Sequence, residues 1–243
     1  MEILPIAHIE SDFDSKFGVP RQSGVVKELT ARIVFAHEFR NPDAFRDLDG
    51  FSHIWLLWDF SETHKDKWKP TVRPPRLGGN KRVGVFATRS PFRPNAIGLS
   101  VVRLVSIDFA CADAPVLVVE GADLMNGTPI YDVKPYLPYA DCIPDAVGGF
   151  TDAIQQNQPL LEVDYADGVR ERLCSLLAGK FGSDETLRKI QALGQILSND
   201  PRPHYQHDAS RVYGMTFAGI DVHFVVSGSR LTVIECSCCL PCW

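Results

Sequence analysis

Residues 70–94 read PTVRPPRLGGNKRVGVFATRSPFRP, with five prolines, five arginines and three glycines in 25 positions. Each proline fixes φ and withholds a backbone donor, while Gly78-Gly79-Asn80 permits positive φ and the close approach of a ligand. The string leaves little room for a helix and predicts a stiffened loop. Arginines held on such a loop lose less entropy on binding a planar or anionic partner. Thr88, Ser90 and Asn95 add neutral hydrogen-bonding groups, and Phe86 and Phe92 are rings on which a base can stack.

Charge sharpens that expectation. The chain carries a formal net charge of −5, yet the window from His64 to Arg103 holds ten basic residues against Asp66 alone. A segment at +9 inside a chain whose remainder sums to −14 is a local site for a polyanion, less whatever fraction of its arginines pairs with carboxylates elsewhere.

Short β-type runs fill the rest of the first 135 residues: Ile3–Ile9, Thr30–Phe35, His53–Phe60, Lys81–Ala87, Leu99–Asp108, Val116–Gly121 and Thr128–Lys134. One short helix is expected at Asn41–Leu48, with Asn41 as cap and Pro42 at its first position. Many short strands between turn residues predict a barrel or sandwich. After Pro144 the composition changes. Asp145–Asn157 reads as a linker, and Gly168–Leu177 and Ser183–Asn199 as helices. In the second helix Ser183 is the expected cap, with Leu187, Ile190, Leu193, Ile196 and Leu197 as the apolar stripe. Arg211–Phe217, Asp221–Val226 and Leu231–Cys236 close as three strands joined at Ala218-Gly219 and Ser227-Gly228-Ser229. The fold class is therefore mainly β: a small β-barrel domain over 1–145, then a smaller α+β domain over 160–243.

Familiar cofactor cradles are missing. There is no GxGxxG opening a helix, no GxxxxGK[ST], no HExxH and no GxSxG. The histidines are scattered, and only His204-x-x-His207 is close, which reads as loop surface. No metal site is expected from them. Cys111, Cys142 and Cys174 are isolated and read as small buried hydrophobes. Cys236, Cys238, Cys239 and Cys242 crowd the end, without the paired spacing of a zinc ribbon. They read either as a thiolate cluster or as a reduced, frayed tail. The acidic opening MEILPIAHIESDFD lacks a signal peptide's basic and apolar regions, and no stretch approaches the ~18 apolar residues of a spanning helix. A cytoplasmic location is the expectation.

At residue level the chain resembles the TrmO-type tRNA methyltransferases. The resemblance rests on KPTVRPPRLGGN…GVFATRSPFRPNAIGLS, on Lys16-Phe17-Gly18-Val19-Pro20-Arg21-Gln22, on Leu48-Asp49-Gly50-Phe51-Ser52-His53-Ile54-Trp55, and on Asn126-Gly127-Thr128-Pro129…Asp132-Val133-Lys134-Pro135-Tyr136. DPRP at Asp200–Pro203 and YGMTFAGIDV at Tyr213–Val222 resemble that family's bacterial C-terminal domain. Three segments depart from its pattern: Asn126 stands for an Asp, Ser61-Glu62 for a His-Gln pair, and the opening IGxIxSP has lost its Gly and Pro.

The resemblance implies S-adenosylmethionine as methyl donor, a β-barrel catalytic domain and a homodimer. It implies as substrate the N6-threonylcarbamoyladenosine beside the tRNA anticodon, methylated on N6. Donor contacts would fall on Pro20, Arg21, Gln22, Ser61, Glu62, Arg89, Leu99, Asn126, Gly127, Thr128 and Pro129. Asp132 is the candidate base that removes the N6 proton, with Lys134 and Tyr136 on the same strand face positioning the substrate. Arg73, Arg76 and Arg93 are assigned to phosphate or threonyl-carboxylate. The alternative is a non-catalytic RNA-binding β-barrel. A phosphate-ester hydrolase would need a metal cluster that the sequence does not display.

Overall fold

In strand β3 (His53–Asp59), HIWLLWD alternates half-buried and buried positions without a break. Period-two alternation gives a strand one wet and one dry face, so Ile54, Leu56 and Trp58 point into a core while Trp55 and Leu57 point out. The same alternation runs through β1 (Ala7–Glu10) and most of β6 (Ile97–Asp108), while β2 (Thr30–Phe35) and β7 (Val116–Glu120) carry consecutive buried residues and β8 (Pro129–Pro135) is mostly half-buried. These six strands close in the order β1-β2-β7-β6-β3-β8, every pair antiparallel. In this computed structural model the described residues are 2–63, 68–74, 81–152, 160–202, 208 and 210–239.

Closure removes free sheet edges and buries Ile9, Ile33, Ile54, Leu56, Leu117 and Ile130 inside. Trp58 fits because β6 offers Gly98 opposite it. A Cβ on Gly98 would stand 2.2 Å from the indole, so the glycine is required by the packing rather than by its backbone angles.

The second core lies between a four-stranded sheet, ordered β10 (Tyr213–Phe217), β11 (Ile220–Ser227), β12 (Arg230–Cys238) and β9 (Glu162–Tyr165), and two helices, α2 (Val169–Ala178) and α3 (Ser183–Ser198). A single turn, α1, covers Pro138–Asp141. Phe13, Val26 and Leu29, from the segment between β1 and β2, belong to this second core and not to the barrel. Lys189 of α3 meets both Asp12 oxygens at 2.8 Å, and Ala218 N donates to Asp12 O at 2.9 Å. The segment 11–29 thus leaves the barrel and ties it to the C-terminal unit.

Several expectations shift. The run Lys81–Ala87 gives only β5 (Val83–Gly84), paired with β4 (Thr71–Val72), before a 3-10 turn at Val85–Ala87. Pro70 and Pro74 bracket β4 and cannot extend a ladder. Asn41 does cap, accepting from Asp43 N at 3.0 Å, but the element is a 3-10 turn over Pro42–Phe45. It ends at Phe45, and Asp47, with φ 62, separates it from a second 3-10 turn at Leu48–Gly50. At α3 the cap is Gly182, and Ser183 is the first helical residue. Leu187 is 61% exposed, whereas Lys189 is buried. The buried stripe runs through Thr186, Lys189, Leu193 and Ile196 at i+3 and i+4 spacing, and Leu187 falls outside it.

Strand β9 has no counterpart among the expected elements. Its parallel pairing with β12 comes from sequence-distant residues. Cys142 is exposed rather than buried. Cys236 and Cys238 sit in β12, not in a frayed tail, and burial pushes the Cys236 thiol up to about 11. Among the described residues, no His, Cys, Asp or Glu group of three or more is placed to hold a metal, and no helix is long and apolar enough to cross a membrane. Arg76, Gly78-Gly79-Asn80, His204, His207, Cys242 and the last residues of the expected linker lie outside the described residues.

Candidate active site at one end of the barrel

Antiparallel closure decides which loops can meet. β1, β3 and β7 finish, and β2, β6 and β8 begin, at the same end of the barrel. The segments 11–29, 60–96 and 121–128 therefore leave from one rim, although they are far apart in sequence.

Their contacts fix a cluster there. Arg89 Nη1 donates to Gln22 Oε1 at 2.6 Å, joining two residues of the expected donor site. Lys16 Nζ donates to Glu62 O at 2.8 Å, which places the Ser61-Glu62 turn against the segment that ends in Pro20. Asn126 is held on three sides: its Nδ2 donates to Asp14 Oδ1 at 3.2 Å, its Oδ1 accepts from Ser11 N at 3.2 Å, and its N donates to Phe13 O at 2.8 Å. Thr128 is buried and caps the turn through Met125 O at 2.8 Å. Gly127 takes φ +76, and nothing lies within 4 Å of where its Cβ would be. Positive φ explains the glycine, and the open space leaves bare backbone facing outward. Arg21 points differently. Its Nη2 donates to Asp200 O at 3.3 Å and Arg202 O at 3.2 Å, so it bridges to the end of α3. Pro20 and Arg21 line a cavity of about 190 Å³ together with Lys16, Val26, Ile196 and Asp200.

One residue of this cluster escaped the sequence reading. Asp123 accepts from Ser100 Oγ at 2.6 Å, and Ser100 Oγ accepts from Trp58 Nε1 at 3.0 Å. Burial pushes the Asp123 carboxyl above the ordinary carboxylate range, while the Ser100 hydroxyl and the Arg89 guanidinium pull it back. Asp123 is thus near enough to Arg89 for the two groups to interact electrostatically. The only signal in the sequence was a lone carboxylate within the small and apolar run Gly121–Met125.

The loop bearing Arg89 is rigid. The Thr88 hydroxyl donates to Val85 O at 2.8 Å and accepts from Ser90 N at 3.2 Å; Ser90 Oγ accepts from Phe92 N at 3.3 Å. Thr88 and Ser90 thus hold the loop itself. Arg93 Nη1 donates to Thr88 O at 2.9 Å. Arg103 is answered by Glu120 at 2.6 Å, but no ion pair to Lys69, Arg73, Lys81 or Arg82 forms among the described residues.

The remaining expected residues lie on the outer wall. Leu57 pairs with Leu99 on one side and Asp132 on the other, so these two stand in one row about 10 Å apart, two strand spacings. Leu99 is 47% exposed. Asp132 Oδ2 meets Lys134 Nζ at 2.8 Å and its Oδ1 accepts from Val133 N at 2.9 Å. Its partner is thus a lysine, not an arginine of the basic loop. Tyr136 packs on His53 and Trp55 near the opposite rim. Within one chain, Lys134 and Tyr136 are not brought to the Arg89 cluster.

The chain is similar to known proteins along nearly its whole length. The profile of the family described as tRNA-methyltransferase O N-terminal domain matches residues 8–142, and that of the TrmO C-terminal domain matches residues 158–238. The Escherichia coli (strain K12) tRNA (adenine(37)-N6)-methyltransferase is 39% identical over 233 residues, 94% of each chain. A Pseudomonas aeruginosa protein provisionally named an S-adenosylmethionine-dependent methyltransferase is 39% identical over 223 residues, 91% of each. The crystal structure of TrmO from Pseudomonas aeruginosa superposes with a TM-score of 0.77 at 30% identity, covering 98% of both chains.

Proposed function

The chain belongs to the TrmO family, and from that premise we propose that it transfers a methyl group from S-adenosylmethionine to N6 of adenine 37 in tRNA, with the threonylcarbamoyl-modified base as its substrate. The observation that carries this reading is the convergence of Arg89, Gln22, Lys16 and the Asn126–Pro129 turn on one barrel rim.

These residues fit the donor chemically. Arg89 and Lys16 offer cations for an amino-acid carboxylate, Gln22 and Asn126 offer carboxamides, and Leu99 offers an apolar wall. Gly127 presents open backbone, and Pro20, Arg21, Ser61, Glu62, Thr128 and Pro129 complete the set. S-adenosylmethionine, when bound, supplies a methyl group on a positively charged sulfur. The chain's own tasks are alignment and proton removal. Asp132 accepts the N6 proton at its carboxylate, which Lys134 keeps in place at 2.8 Å, and Tyr136 offers a ring and a hydroxyl to the substrate. The barrel unit, 1–145, carries this chemistry, and the α+β unit, 160–243, braces the segment that bears Pro20–Gln22.

We further assign a homodimer, formed through the outer face of β6, β3 and β8. Ile97 and Leu99 are exposed there beside Leu57 and Val101, and a second copy on that wall would bring its own Asp132–Tyr136 strand towards the first chain's rim. Leu99→Asp is expected to turn the dimer into a monomer in sedimentation equilibrium; an unchanged mass would remove this face from consideration. A cytoplasmic location follows from the tRNA substrate.

Arg73, Arg76 and Arg93 are assigned to the polyanion. Arg73→Ala is expected to weaken tRNA binding and to lower the slope of log K against log salt by about 0.7–0.9, one phosphate contact; titrations at several salt concentrations read both. For the reaction, the decisive measurement is nucleoside mass spectrometry of tRNA from cells lacking the protein. Persistence of the N6-methylated threonylcarbamoyl nucleoside would overturn the substrate assignment.

A further inference from the structure

Beside the donor cluster, on the same rigid loop, two large aromatic rings stand in solvent. Phe86 is 71% exposed and Trp68 48% exposed. Scattered exposed aromatics are ordinary, but these two come from different turns and stack, with centroids 6.1 Å apart and planes 25° apart. The Arg93 guanidinium lies 6.0 Å from the Phe86 centroid, and Arg93 is itself anchored on Thr88 O. Backbone bonds from Lys69 N to Phe92 O and from Val85 N to Pro70 O clamp the two turns together. A cavity of about 290 Å³ opens alongside, lined by Asp59, Trp68, Phe92, Arg93, Asn95 and Tyr131 among others.

We propose that Trp68 and Phe86 form a stacking platform for one unpaired nucleobase of the tRNA loop, a neighbour of the adenine that is methylated. The proposal rests on the methyltransferase reading above and adds a base-binding subsite to it. Charge selects the partner. Trp68 and Phe86 flank the β4–β5 hairpin, whose two strands are bordered by Lys69, Arg73, Lys81 and Arg82, four cations with no ion pair among the described residues, which favours a polyanion over an apolar protein surface. Aromatic faces beside a basic track bind single strands, because only an unpaired base exposes its face. The cavity supplies what stacking lacks: the Asn95 amide, beside the Asp59 carboxylate and Tyr131 hydroxyl that bond each other, is a hydrogen-bonding group suited to a base edge. Because the clamps hold the rings in place beforehand, little ordering cost falls on binding. Phe86 and Arg89 are three residues apart, so a base on the platform lies beside the donor cluster.

The test uses the full chain and a fluorescently labelled anticodon stem-loop RNA, with anisotropy as the readout. Trp68→Ala and Phe86→Ala are each expected to raise Kd about 5- to 150-fold, the loss of one stacked base. Trp68→Phe should retain most of the affinity. The salt slope should stay at its wild-type value, unlike that of Arg73→Ala, and calorimetry should give an unchanged affinity for S-adenosylmethionine, which also shows that the variants fold. A change under twofold overturns the platform, as does an equal loss on a blunt duplex of the same stem. Loss of affinity that tracks dissociation of a dimer overturns it too, since the rings then contact a second copy. Methylation of tRNA by the wild-type chain is assayed in parallel. If the wild type neither methylates nor binds the stem-loop, the methyltransferase reading fails and the platform falls with it; if it does both while the alanine variants bind normally, the platform alone fails.

Discussion

Lys189→Ala is expected to destabilise the folded chain by about 3–5 kcal/mol, the cost of stripping one partner from a buried ion pair. Lys189 and Asp12 have side chains only 7% and 12% exposed, and the ammonium touches both carboxylate oxygens at 2.8 Å. It also lies 3.2 Å from Glu185 and 4.6 Å from the centroid of the Phe181 ring. Removing it leaves Asp12 buried without a cation. Burial already holds the Asp12 carboxyl above its usual range despite Lys189, and loss of the lysine pushes it further up. A raised pKa in the folded state favours the protonated folded form. The variant should therefore be least impaired below the unfolded carboxylate's pKa and lose stability as pH rises through the raised value. Urea unfolding at about pH 5 and about pH 8 reads the sign; a deficit that shrinks at higher pH would contradict the assignment to Asp12. Because Asp12 anchors the segment that carries Lys16–Gln22, donor affinity should fall with stability.

Arg89→Ala is expected to leave stability nearly intact and to raise the Kd for S-adenosylmethionine about 10- to 150-fold, the loss of a hydrogen bond to a charged group at roughly 1.5–3 kcal/mol. Arg89 is exposed, so its removal opens no cavity. What is lost is a positioned cation: Arg89 bonds Gln22 at 2.6 Å and interacts electrostatically with the Asp123 carboxyl. Arg89→Lys keeps the charge but not the fork, and should recover only part of the affinity. Calorimetry with the donor decides it, and a Kd within twofold of wild type would exclude Arg89 from the site.

The barrel was legible because its signal is local. Short β-type runs between turn residues mark Thr30–Phe35 with the bounds observed, and His53–Asp59, Ile97–Asp108 and Val116–Glu120 within one or two residues. The C-terminal helices and hairpins announce themselves through 3.6-residue spacing and through Ala218-Gly219, where both residues take positive φ. Features that depend on a partner far along the chain were not legible. Strand β9 alternates in EVDY, but over only four residues, and its place in a sheet comes from its parallel pairing with β12. Lys189 has no partner in its own stretch of sequence that accounts for its burial; Asp12, 177 residues away, is brought to it by the fold.

The same division holds for the site. The sequence by itself determined the basic, proline-stiffened loop, its resemblance to a methyltransferase family and the residue types at each motif, because these are properties of short strings. Only the tertiary structure decided that Arg89 meets Gln22, that Arg21 turns to the Asp200 and Arg202 carbonyls, that Asp123 is buried on Ser100, and that Asp132 stands on the outer wall. The physical reason is closure. When six antiparallel strands form a barrel, the loops sorted to one rim are fixed by strand order and register, and those arise from long-range pairing that no window of sequence contains.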